Sequence, residues 1–287
     1  MSRITIGRIL TAATDSIDSW LNDGAGNPIT SCPDGGAYRL DTCTRNQVDI
    51  ARSIVPGSSI LFGFGERSGI GTGATGEDVW PGAATMLPIP ADVGEATSFV
   101  STSANDTAAG TGIQSMMIHY LDASGNPQEE EKATAGLTPV ALTATDVRFV
   151  QYMHATAVGS NGVAVGDITL YQNGSPATVY NQISIGGNRT LTASRMVPLG
   201  KKFILTEWYG TEARDKRVTI RLRVTANELV VLPRVFTFRG TMHLAKGSLQ
   251  LPAAFVVPAL SIIKVTAWAA ATLSEVSAGF IGELHPA

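Results

Sequence analysis

Residues Arg217 to Val224 read Arg-Val-Thr-Ile-Arg-Leu-Arg-Val, with Val218, Ile220, Leu222 and Val224 at every second position and Arg217, Thr219, Arg221 and Arg223 between them. A strand points successive side chains to opposite faces, so this spacing predicts a half-buried strand with its apolar side inward. Weaker alternation, or runs rich in β-branched and aromatic residues, recur at Thr97 to Ser103, Ile113 to Leu121, Val147 to His154, Asp167 to Gln172, Thr178 to Ile185, Lys202 to Gly210, Leu229 to Arg239, Ser261 to Ala269 and Glu275 to Leu284. Between several of them lie turn clusters, Asp122 to Pro127, Gly159 to Gly162 and Gly186 to Asn188, whose residues tolerate the positive φ of a tight reversal. Short strands so punctuated, with no helical intervals, predict an all-β fold of antiparallel sheets packed as β-sandwich or jelly-roll modules.

The first 76 residues differ in texture. Gln47 to Ile54 has the makings of two helical turns ended by Pro56-Gly57, and from Gly63 to Gly76 nearly every second or third residue is glycine. This segment is expected to be an irregular N-terminal arm closed by a flexible or extended connector. The expected organisation is an arm over 1–76, a first sandwich module over 77–190 and a second over 191–287; the boundary near Thr190 could instead be a loop inside one jelly roll.

Composition narrows the function classes. The chain has 287 residues, enough for one large or two modest domains, and 44% of them are apolar, which argues for a folded chain. Lys and Arg number 21 against 24 Asp and Glu, a net charge of −3, so the basic surface of a free-standing nucleic-acid binder is missing. No apolar run approaches the roughly 18 residues of a membrane helix. Arg3 and Arg8 are followed only by short apolar stretches before Asp15 and Asp18, so a secretory signal is not expected.

Candidate chemistry is sparse. Cys32 and Cys43 are close enough for a disulfide worth about 3 kcal/mol in the chain-entropy model, but two reduced thiols are the favoured reading in a cytosolic setting. No His has zinc-ligand spacing to either. Gly71-Thr72-Gly73-Ala74-Thr75-Gly76 matches the dinucleotide fingerprint, yet it lacks the flanking strand and helix, and Pro81 falls where a helix interior would begin, so it reads as linker. Ser261 and Lys264 match an S-x-x-K pattern that needs a helical turn; on a strand the two side chains point apart. His119, His154, His243 and His285 are scattered, and each reads as an ordinary strand or terminal residue. Glu129-Glu130-Glu131-Lys132 reads as a solvated strand edge rather than a cation site. Arg214, Lys216, Arg217, Arg221 and Arg223 form the one basic concentration, read as a solvated outer face. Trp208, Tyr209 and Trp268 could cradle sugar rings, but Trp208 and Trp268 are expected in the core.

A set of blocks, in order and spacing, carries a resemblance. They include Ala51-Arg52-Ser53-Ile54-Val55-Pro56-Gly57, Glu77-Asp78-Val79-Trp80, Pro88-Ile89-Pro90, Ser101-Thr102-Ser103-Ala104-Asn105-Asp106-Thr107-Ala108-Ala109-Gly110-Thr111-Gly112, Leu121 to Asn126, Thr138-Pro139-Val140 and Val165 to Leu170. With Leu199-Gly200-Lys201-Lys202 and Val276 to Phe280, they resemble a family of virion structural proteins from tailed bacteriophages, many of them short-tailed. The likeness covers most of the chain from about residue 50 onward; the acidic stretch Pro127 to Lys132 and the first 45 residues depart from it. Read on its own residues, the Asn105-Asp106 block suits a tight loop whose side chains bond nearby backbone, with metal binding by Asp106 the lesser alternative.

The resemblance implies a particle component and carries over no catalytic, cofactor-binding or metal-ligating residue. The expected function is a non-enzymatic virion protein, located in the virion after assembly in the host bacterial cytoplasm, binding copies of itself and other capsid, neck or tail proteins. Neither membrane nor nucleic acid is expected as a partner. The rival in the binding class is a receptor- or glycan-binding tail-fibre protein; the rival in the enzyme class is a glycan-degrading tail protein, which lacks a persuasive carboxylate pair.

Overall fold

The computed structural model describes residues 32–34, 37–39, 50–73, 75–82, 89–214, 216–226, 236–244, 247–270 and 274–287. The chain forms two compact units, Met1–Pro56 and Gly57–Ala287. The first contains a short antiparallel pair, β1 (Cys32–Asp34) and β2 (Ala37–Arg39). It also contains a helical turn at Ile50 and Ala51 that ends where Ser53 takes a φ of 60° and donates its N–H to Ile50 O at 2.9 Å. The remainder of the helix expected from Gln47, and the question of a Cys32–Cys43 bond, lie outside the described residues.

The second unit is all-β and antiparallel, as the alternation predicts. Its strands are β3 (Ser59–Ile70), β4 (Glu77–Asp78), β5 (Thr97–Ser101), β6 (Ile113–Leu121), β7 (Pro127–Ala133), β8 (Val140–Ala141), β9 (Phe149–Val158), β10 (Ile168–Gln172) and β11 (Ser175–Ile183). They continue as β12 (Ser194–Met196), β13 (Lys201–Glu212), β14 (Val218–Thr225), β15 (Phe236–Leu244), β16 (Gly247–Val257), β17 (Ile262–Ala269) and β18 (Ser274–Pro286).

Two cores organise these strands. In the first, the sheet β11-β10-β5-β8 faces the sheet β7-β6-β9. Phe99, Ile168, Leu170 and Ile183 from one pack with Ile113, Met116, Ile118 and Met153 from the other. In the second, β16-β13-β18-β3 faces β12-β17-β14-β15, to which β4 adds through β17. Phe203, Leu205, Trp208 and Phe280 there pack with Ile220, Leu222, Val224 and Val265. Ile70 and Val79 belong to this second core as well. The strands of the first core therefore lie in the chain between the two parts of the second.

The expected connector is thus strand from Gly63 to Ile70. β3 pairs with β18 from Ser274↔Ile70 to Leu284↔Ser59; two of its glycines, Gly63 and Gly65, answer to crowding, and the third, Gly69, to a φ of 69°. A Cβ on Gly65 would sit 2.0 Å from Val79 O, and one on Gly63 would sit 2.7 Å from the Phe280 ring. Counting glycines cannot separate the two causes, since both remove the side chain. The described residues of the motif, 71–73 and 75–76, join β3 to β4, where Gly76 donates to Gly73 O at 2.9 Å and Arg67 pairs with Glu77 at 2.6 Å.

The joint between the two cores is polar and apolar together. Leu121 and Phe149 from the first pack with Met196 and Ile262 from the second, with Ile89 against them. The Gln151 amide binds the Met196 backbone twice, donating to its O at 2.6 Å and accepting from its N at 3.2 Å.

Candidate functional site

The Ser101 to Gly112 block folds as a loop around its own aspartate. Asp106 is 0% exposed. Its Oδ2 accepts from Ser101 Oγ at 2.6 Å and Gly166 N at 2.9 Å, and its Oδ1 accepts from Ile113 N at 2.9 Å and Val165 N at 3.1 Å. Its backbone oxygen takes Gly136 N at 2.7 Å. A Cβ on Gly112 would lie 2.0 Å from Asp106 Oδ1, so that glycine leaves the carboxylate its place. With both oxygens occupied by donors, Asp106 is an organiser of three loops; among the described residues no cluster suited to a metal ion forms around it.

The outward face of the sheet β7-β6-β9 gathers carboxylate, imidazole and phenol groups. Alternation sends Ser115, Met117 and His119 of β6 outward while Met116 and Ile118 enter the core. Register then sets His119 between Glu129 on β7 and Tyr152 on β9, and Met117 between Glu131 and His154. His119 lies 3.6 Å from Glu129, its ring stacks on Tyr152 at 4.2 Å between centroids, and His154 stacks on it at 5.2 Å. Thr156 donates to Glu131 at 2.6 Å and shares a 2.6 Å hydrogen bond with Ser115. Burial holds the His119 imidazole below its ordinary range, with His154 and Arg189 pushing the same way and Glu129 opposing them.

Beyond β9 the face ends in arginine. Thr190 N donates to Met153 O and Ala155 N to Asn188 O, which fixes the backbone at Arg189 against β9. The Arg189 guanidinium carbon lies 4.6 Å from the Tyr152 ring centre and 5.0 Å from that of Phe62 on β3, so one cation rests on a ring from each core region. Arg195 is fully buried, 5.6 Å from the same Tyr152 ring, and donates to Thr192 O and Ser194 O. The face therefore runs from carboxylates on β7, through imidazole and phenol, to guanidinium.

Other expected sites come out differently. On β14 only part of the basic side is solvated: Arg223 is buried and donates to Thr75 O, and Thr219 is buried beside His243. This corrects the expected outer face, over which the turn after β3 reaches at Thr75. Arg221 lies 4.6 Å from the Trp268 ring, so Trp268 sits half-buried on that outer side rather than in the core; Trp208 is in the core as expected. Lys264 is buried and pairs with Asp78 at 3.1 Å, while Ser261 is buried just before β17. His285 is expected to have no acidic partner, but Glu283, two residues before it on the same face of β18, lies at 2.9 Å, and Ser58 at 3.0 Å. β7 is the edge strand expected of the acidic run, and alternation sends Glu130 away from Glu129 and Glu131, where it accepts from Thr143 N and Ala144 N and pairs with Lys132.

Sequence reasoning missed Tyr152, Arg189 and Arg195 altogether. The i, i+2 spacing of Tyr152 and His154 puts them on one face; only the pairing of β9 with β6 says that His119 shares it.

These features define a two-core antiparallel β-sandwich protein with a polar, aromatic outer face on its β7-β6-β9 sheet. No family model matches the chain, and no curated protein matches it. Among solved structures the chain is similar to one in the structure of infectious bursal disease virus, Gx strain, with 11% identity, a TM-score of 0.23, and coverage of 80% of this chain and 72% of that one. A chain of the Gt strain shows 10% identity and a TM-score of 0.20, with coverage of 79% and 71%. TM-scores this low do not establish a shared fold.

Proposed function

We propose that this chain is a non-enzymatic structural protein of a bacteriophage particle, assembling with copies of itself and with other capsid, neck or tail proteins. The observation that carries the reading is Asp106. The block most specific to the resemblance, Ser101 to Gly112, places its one carboxylate in a buried knot of hydrogen bonds that ties loops together. Residues used in this way build a rigid body rather than perform a reaction. The test is mass spectrometry of purified, nuclease-treated particles, which should contain this chain at many copies. Absence from intact virions combined with abundance in the infected-cell lysate overturns the reading.

A second reading, receptor or glycan binding on a tail fibre, is favoured by the Trp268 and Arg221 pair on the outer side of β17 and β14. A glycan array separates the two readings: binding that disappears with Trp268→Ala supports the second.

A further inference from the structure

We propose that the outward face of the β7-β6-β9 sheet is a self-complementary contact between two copies of this chain, in which Glu129 of each copy meets Arg189 of the other. The proposal rests on the reading of the chain as a self-assembling protein and names the face by which copies meet.

Three observations carry it. First, charge is segregated along the face: Glu129 and Glu131 lie on the edge strand, and Arg189 lies on the far side of β9. A two-fold axis through the middle of such a face lays the acidic end of one copy on the basic end of the other, twice over, as an isologous interface requires. Second, Arg189 is prepared for a carboxylate. Its guanidinium is steadied by Phe62 and Tyr152, and among the described residues no carboxylate, carbonyl or hydroxyl accepts its N–H donors. Glu129 has a side chain 66% exposed. Third, the middle of the face consists of Met117, His119, Tyr152 and His154, all half-buried; Met and Tyr are types enriched at interface centres, with charge left to the rim.

Size sets the expected strength. Four rows of backbone at about 4.8 Å and seven residues at about 3.4 Å give a footprint of about 450 Å² per copy, below the roughly 800 Å² of a standard interface. One such contact is weak in solution and becomes effective when many copies are held together.

The experiment is sedimentation velocity on the full chain from about 1 to about 100 μM, a range that brackets a weak dimer. The wild type should shift towards dimer as concentration rises. Glu129→Arg and Arg189→Glu, each folded by circular dichroism, should weaken association by about tenfold or more, and the double variant Glu129→Arg/Arg189→Glu should recover most of it. Should Arg189→Glu unfold, Arg189→Gln keeps a planar group between the rings and should still weaken the dimer. A wild type that stays monomeric throughout, single variants that associate like wild type, or a folded double variant no better than the singles overturns the proposal. A chain present in virions yet monomeric by this measure fails the contact alone; a chain that dimerises with charge-swap rescue yet is absent from virions fails the particle reading alone.

Discussion

The carboxylate of Asp106 lies 2.9 Å from the backbone nitrogen of Gly166, 60 residues further along the chain, and accepts its hydrogen bond. The same carboxylate also holds Ile113 N and Ser101 Oγ. Asp106→Ala leaves these donors without their acceptor in a buried site and should cost about 3 to 5 kcal/mol. Asp106→Asn keeps the shape but turns an amide towards two donors, and should fall between. Urea unfolding measures both; a loss below about 1 kcal/mol for the alanine variant would show that the knot does not hold the loops.

Leu222 and Arg221 are sequence neighbours on opposite faces of β14. Leu222 is fully buried between the two sheets, whereas Arg221 lies over Trp268 and donates to Thr241 Oγ1 at 3.2 Å. Leu222→Ala should cost about 2 to 5 kcal/mol through lost burial and the cavity left behind. Arg221→Ala should cost about 0.5 to 1 kcal/mol, the scale of an exposed cation–π contact. Equal losses in denaturant titrations would mean that the two faces are assigned wrongly.

Protonation of His119 should destabilise the fold. Burial, His154 and Arg189 lower its pKa from 6.5, against Glu129, so the unfolded chain takes up this proton at a higher pH than the folded one. Within that window the unfolded state binds more protons, so stability falls as pH drops below about 6.5 and levels off once the folded imidazole is charged. His119→Gln should flatten this part of the urea-midpoint profile. A variant profile parallel to that of the wild type between about pH 7 and pH 5 refutes the assignment.

The pairing of β3 with β18 makes truncation informative. A fragment of residues 57–287 keeps every strand of the two cores and should melt cooperatively. A fragment of residues 77–287 loses β3, including Ile70 from the second core, and should lose its cooperative melt or precipitate. If both fragments melt alike by circular dichroism, β3 contributes nothing that the core needs.

Much of this architecture follows from local pattern. The two-residue period of β14 and the turn residues between strands predict antiparallel, half-buried sheets, because pleating forces side chains to alternate and positive φ favours glycine and asparagine. The strand predicted over Ile113 to Leu121 is β6 with the same bounds. Asp106 stood out on local grounds too, as a residue that bonds nearby backbone in a tight loop.

Long-range pairing decided the rest. The glycines of Ser59 to Ile70 have the composition of a linker; the use of Gly63 and Gly65 is set by Phe280 and Val79, which approach them only after β18 and the segment after β4 have folded against β3. The outer side of β14 alternates like a solvated face, yet Arg223 is buried because a turn nearly 150 residues away in sequence folds over it. His119, Glu129, Tyr152, His154 and Arg189 come from three strands and a loop, and local spacing relates only Tyr152 to His154. Alternation states which face a residue takes; which residues become neighbours on that face depends on strand order and register, properties of the whole sheet that no short stretch of sequence contains.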